Sequence, residues 1–148
     1  MAGTAGRGRA CGSYEEAVRG ADVVCLCTSS ATPVIRADWV SPGTHLTSVG
    51  YHPPGGELPR EILGRGTLAV ETRLAFEPPP AGCAELAGLE ASRGTELGEL
   101  LSGAAAGRRT GEEITVYKSM GHAVEDLVAA RLVYRKALEK GAGRVVTL

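Results

Sequence analysis

Four groups of residues in this sequence are of types, and at spacings, that could do chemistry. His52 lies between Tyr51 and Pro53-Pro54 on a proline-stiffened loop. Imidazole exchanges protons near neutrality, so His52 is the candidate catalytic acid or base. The same surroundings suit an exposed loop histidine with no chemical role, and both readings stay open. Thr28-Ser29-Ser30 follow an apolar run and could offer hydroxyls to a ribose or a nicotinamide, or simply cap the next turn. Val49-Gly50 closes a second apolar segment. A glycine there lets a ligand approach the backbone closely, although turn geometry alone would also account for it. Lys118-Ser119-Met120-Gly121 joins an expected strand to a long helix. Free N–H groups at such a junction can receive a negative or polar ligand group, unless Ser119 merely caps the helix. His45 and His122 stand at the starts of elements and read as structural.

The elements that must position these residues follow from periodicity. Ser13-Tyr14-Glu15-Glu16 fits a capping box, with Glu16 reaching back to Ser13, and a short helix to about Arg19. Val23 to Cys27 is a continuous apolar run, the pattern of a strand buried on both faces in the middle of a parallel sheet. His45–Gly50, Thr67–Glu71 and Ile114–Lys118 are the next expected strands. Arg36–Val40, Glu57–Leu63 and Thr95–Leu101 are expected helical segments, and Tyr51–Pro59 and Phe76–Gly82 are loops. The longest helix follows Gly121 and ends at Gly141, with an apolar stripe of Val124, Leu127, Val128, Leu132, Tyr134 and Leu138. A terminal strand over residues 144–148 is also expected, while residues 1–12 read as a flexible lead-in. Strands separated by short helices imply right-handed crossovers and an α/β, Rossmann-like parallel sheet with flanking helices. Ligands of such sheets sit beyond the carboxyl ends of the strands, here Thr28–Ser30, Gly50–Gly56, the loop after Glu71 and Lys118–Gly121.

Composition narrows the function classes. The 148 residues carry 16 Lys+Arg against 17 Asp+Glu, a net charge of −1, which argues against a nucleic-acid surface. A hydrophobic share of 43% excludes a wholly disordered chain. The 21 glycines have no G-X-Y period, so collagen is excluded. No apolar run reaches the roughly 18–20 residues of a membrane span, and no secretory signal opens the chain. Cys11, Cys25, Cys27 and Cys83 lack the spacing of a zinc knuckle or redox pair, so no metal is expected. They read as buried thiols of a cytoplasmic protein. Gly6-x-Gly8 is not a dinucleotide fingerprint, because its third glycine position is Cys11 and no strand precedes it.

Several segments together resemble the ornithine cyclodeaminase/mu-crystallin family. They are residues 20–24 (GADVV), 39–46 (WVSPGTHL), 48–50 (SVG), 96–100 (ELGEL) and 115–126 (TVYKSMGHAVED). The resemblance runs from about residue 9 to residue 140 and corresponds to the C-terminal half of the family. It implies that residues 13–118 are part of a Rossmann domain for NAD or NADP. It further implies that residues 119–148 form a helix packing back on a substrate and dimerisation domain. Family members act on amino acids and imines by hydride transfer, as ornithine cyclodeaminases, alanine dehydrogenases or ketimine reductases, and a homodimer is expected of the complete form. By resemblance, Thr28, Ser29, Val49, Gly50 and Lys118–Gly121 line the nicotinamide end of the cofactor, and Ser30 stands beside them. His52 stands where cyclodeaminases have a catalytic aspartate. The family's first βαβ unit, with its glycine fingerprint and the Arg/Lys set for the substrate carboxylate, has no counterpart in these residues. The expectation is therefore a partial subunit of an NAD(P)-dependent amino-acid or imine oxidoreductase. A non-catalytic fragment or binding remnant of that fold is the alternative. Another parallel α/β module, such as a methyltransferase, fits the 118–126 motif poorly.

Overall fold

Alternation of apolar and polar residues along four short strands decides which face of the sheet becomes the core. In the computed structural model, which describes residues 8–144 and 146, the strands are β1 (Val23–Leu26), β2 (His45–Ser48), β3 (Thr67–Val70), β4 (Gly94–Glu96) and β5 (Thr115–Lys118). All pair in parallel, in the order β1-β2-β5-β3-β4. Val24, Leu26, Leu46, Leu68, Val70 and Val116 point to one face and are buried with Val18, Ile62 and Leu63 from the helices. Truncating a fully buried member such as Leu46 to alanine would cost about 2–5 kcal/mol.

The helices are α1 (Tyr14–Val18), α2 (Arg60–Arg65), α3 (Leu97–Ser102) and α4 (Ala123–Lys140). From β1 through β4 the chain advances across the sheet in one direction, and right-handed crossovers then place the intervening segments on one face. The return from β4 to β5 runs backwards and carries α3 and the loop after it to the opposite face. Leu100, Gly107 and Arg108 there meet His45, Thr67, Ala69 and Thr115 around a cavity of about 190 Å3. That cavity lies at the amino ends of the strands, away from the candidate site.

Several expectations need correction. The apolar run of β1 is an edge strand of the described sheet, not a central one. Its Val24 and Leu26 are buried, while Val23, Cys25 and Cys27 are exposed. Cys11 is exposed as well, so Cys83 is the buried thiol of the four. Thr95 and Glu96, expected as the start of a helix, belong instead to β4, with α3 following directly. Helix α2 begins at Arg60 rather than Glu57. Glu16 reaches back to the N–H of Gly12 at 2.8 Å rather than to that of Ser13, while the Ser13 hydroxyl accepts the N–H of Glu16 at 3.1 Å. Helix α4 has the expected bounds, closed by Gly141 in the left-handed region with φ 59°. None of its residues is buried. No helix of the described residues is long and apolar enough to cross a membrane. The lead-in and the terminal strand fall largely outside the described residues.

Candidate functional site

The carboxyl ends of β1, β2 and β5 are tied together by a carboxylate and an ammonium that the sequence reading did not single out as a pair. Glu57 is fully buried in the loop before α2. Its Oε2 accepts the N–H and the hydroxyl of Thr28, each at 2.7 Å. Its Oε1 accepts the N–H of Gly50 at 2.7 Å and the hydroxyl of Ser48 at 2.8 Å. Burial alone would raise the Glu57 carboxyl, but the donors from Thr28, Gly50 and Ser48 outweigh it and hold the group below the usual carboxylate range.

Lys118, the last residue of β5, is also fully buried. Its Nζ donates to the Gly50 carbonyl at 2.6 Å, to Ser48 Oγ at 3.1 Å and to Glu85 Oε1 at 3.1 Å. Ser48 thus links the two charged groups, donating to Glu57 and accepting from Lys118. Glycines make the closeness possible. A Cβ on Gly50 would stand 2.4 Å from the Thr28 carbonyl oxygen and 2.5 Å from Glu57 Cδ. One on Gly56 would stand 2.0 Å from Glu85 Cδ.

A second carboxylate organises the turn into α4. Glu71, just after β3, accepts the hydroxyl of Ser119, the N–H of Met120 at 3.0 Å and the N–H of Gly121 at 3.2 Å. The N–H groups expected to be free for a ligand are therefore already engaged by the protein's own carboxylate. Ser119 Oγ also accepts the Gly121 N–H at 3.2 Å, and the cap of α4 is His122, whose Nδ1 accepts from Val124. Burial, with Glu71 and Glu125 nearby, pushes the Tyr117 phenol up to about 12, so it stays protonated.

The expected residues are thus brought together unevenly. Thr28, Gly50 and Lys118 meet through Glu57 and Ser48. Lys118, expected to face a ligand, is instead spent inside the protein. The Thr28 hydroxyl accepts the Ser30 N–H, and Ser30 Oγ donates to the Thr32 carbonyl at 2.7 Å, so both act as turn caps. Ser29 and Val49 are exposed, Val49 by 45%. His52 is exposed on a tight turn whose backbone pairs with Gly55. Among the described residues its ring bonds to no other candidate. His45 behaves as a structural residue, its Nδ1 2.8 Å from Thr115 Oγ1. Glu57, Glu85, Ser48 and Glu71 were missed. The available signal was a carboxylate set among glycine and apolar neighbours, as in Gly55-Gly56-Glu57-Leu58 and Cys83-Ala84-Glu85-Leu86.

A model of the ornithine cyclodeaminase/mu-crystallin family matches residues 6–141. The chain belongs to this family. It is 42% identical over 127 residues to the ketimine reductase mu-crystallin of Mus musculus, covering 85% of this chain and 39% of that protein. To the alanine dehydrogenase of Archaeoglobus fulgidus it is 37% identical over 134 residues, covering 87% of this chain and 41% of that protein. Among solved structures, it superposes on the Δ1-pyrroline-2-carboxylate reductase of Thermococcus litoralis, in complex with NADH and L-proline. The TM-score is 0.74 at 31% identity, over 90% of this chain and 43% of that one. An archaeal alanine dehydrogenase dimer with bound NAD gives a TM-score of 0.67 at 33% identity, over 90% and 43%. The chain spans about two fifths of the length of the ornithine cyclodeaminase/mu-crystallin relatives it matches.

Proposed function

We propose that this chain supplies the nicotinamide-facing part of an NAD(P)-dependent oxidoreductase that acts on an amino acid or cyclic imine. The observation that carries the reading is the family match over nearly the whole chain, falling on strand ends already locked into one geometry. Val49 offers an exposed apolar side chain at the end of β2, held in place by the buried Gly50 peptide behind it. Such a surface fits the face of a planar, weakly polar ring, and Ser29 stands exposed at the end of the neighbouring strand. No glycine fingerprint for a pyrophosphate is found in the sequence, so the fit concerns the nicotinamide end alone.

When bound, the nicotinamide would supply or take up the hydride. Amine–imine interconversion also moves a proton, and the imidazole of His52, on the exposed stretch 51–54, is suited to hold it. Thr28, Gly50, Lys118 and the Ser119–Gly121 turn would act by fixing the strand ends, with the turn held by Glu71. Titration of the chain with NADH and NADPH, followed by nucleotide fluorescence, tests the reading. Saturable binding at micromolar concentration is expected, and absence of binding would overturn it for this chain. In any preparation that reduces a cyclic imine carboxylate, His52→Ala should lower turnover about 10²–10⁴-fold while sparing cofactor affinity. Unchanged turnover would remove His52 from the mechanism.

The second reading is a scaffold of the same fold without catalysis. The engagement of the Met120 and Gly121 N–H groups by Glu71 favours it, and failure to bind either nucleotide would be its signature.

A further inference from the structure

We propose that Lys118 and Glu57 are positioning residues that clamp Gly50 from both sides, and so set where Val49 and the His52 loop stand relative to the nicotinamide. The inference rests on the cofactor reading above and adds to it the device that holds the site in shape. Glu57 grips the peptide entering Gly50 by its N–H, at 2.7 Å. Lys118 grips the peptide leaving Gly50 by its carbonyl, at 2.6 Å. The two grips come from different parts of the chain, and Ser48 joins them by bonding to both.

Because Glu57 also holds Thr28, the clamp spans the ends of three neighbouring strands, β1, β2 and β5. His52 is two residues beyond the clamped glycine, so the direction in which its loop leaves the sheet is set at Gly50. Stability alone is a poor reason for this arrangement. Two buried carboxylates and one ammonium are costly to desolvate, and apolar residues of similar volume often serve a core equally well. What charged groups add is direction: each bond fixes one peptide unit, and glycine leaves no side chain to displace it.

The test separates holding from mere stability with three variants of the 148-residue chain: Glu57→Gln, Lys118→Met, and Lys118→Met with Glu85→Gln. Lys118→Met leaves Glu85 buried without its cation, so melting temperature should fall. The double variant removes both charges and should recover most of that loss. It still leaves the Gly50 carbonyl unheld, so NADH affinity should remain about tenfold or more below that of the unmodified chain. In ¹⁵N–¹H spectra, the amide resonances of Gly50, Tyr51 and His52 should stay displaced in the double variant. Glu57→Gln turns an amide NH₂ towards either Gly50 or Thr28 and should displace that residue's amide resonance. Recovery of affinity together with stability in the double variant would overturn the proposal, as would unmoved Gly50–His52 resonances. If the unmodified chain binds no NADH, the cofactor reading fails, and the clamp itself is then upheld or overturned by the spectra.

Discussion

At the scale of single residues, the ionisable groups of this fold make a directional statement about pH. Burial, helped by Arg108, holds the His45 ring below its ordinary value. The unfolded chain then takes up a proton that the folded chain refuses, so stability should begin to fall as pH drops below about 6.5. Glu113 accepts the N–H of Arg109 at 2.6 Å and bonds the Thr67 hydroxyl, and its carboxyl is pushed down to about 2. Its contribution is complete above the ordinary carboxylate range near 4.3 and is lost as pH falls towards 2. Glu57 acts with the same sign. Denaturant midpoints measured from pH 7 to pH 2 should therefore decline in two stages. His45→Gln should flatten the first and Glu113→Gln should make the second shallower, with Glu57 supplying the remainder, and a midpoint independent of pH would contradict both assignments. None of this was legible beforehand for Glu57. A lone carboxylate in a sequence reads as solvated surface, and its four donors come from residues up to 29 positions away. His52, Gly50 and the 118–121 turn were singled out because histidine, glycine and strand–helix junctions carry local signatures.

At the scale of elements, what the sequence reveals depends on length and on what lies alongside. Helix α4 was readable end to end, since 18 residues hold several turns of period and a glycine closes it. Strand β4 was not, because three residues cannot show alternation. Strand β1 was found but misplaced. Its unbroken apolar run resembles a strand covered on both faces, yet it ends one edge of the described sheet with Val23, Cys25 and Cys27 facing outward. That placement has a chemical consequence for the thiols. A thiol-specific reagent should label Cys11, Cys25 and Cys27 in the native chain at comparable rates. Cys83 is fully buried, and burial pushes its thiol up, which lowers its thiolate fraction. It should react only on unfolding. Labelling of one thiol or none in the native chain would mean that the outer side of β1 is covered in solution.

At the scale of the whole molecule, the balance of buried and exposed apolar surface is uneven. One face of the sheet is packed to completion around Leu46, Ile62 and Val70, each fully buried. Helix α4 carries Val124, Leu127, Val128, Leu132, Val133, Tyr134 and Leu138 in the open, each at least 43% exposed. A helix gains most of its stability in a protein from packing one face, and an isolated helix of this length is marginal in water. An exposed apolar surface of this extent, together with edge strands whose outer backbone groups are unpaired in the described sheet, favours association. Light scattering of the purified chain should therefore give a mass above the 15.3 kDa of one copy, rising with concentration. Replacing Leu127 and Leu138 by lysine removes apolar surface from α4 without touching the core or the strand ends. That variant should shift towards single copies while keeping its melting temperature and any nucleotide affinity. A monodisperse single copy of the unmodified chain at every concentration would mean that α4 tolerates full exposure. Association undiminished in the double lysine variant would move the contact to the edge strands of the described sheet, β1 or β4.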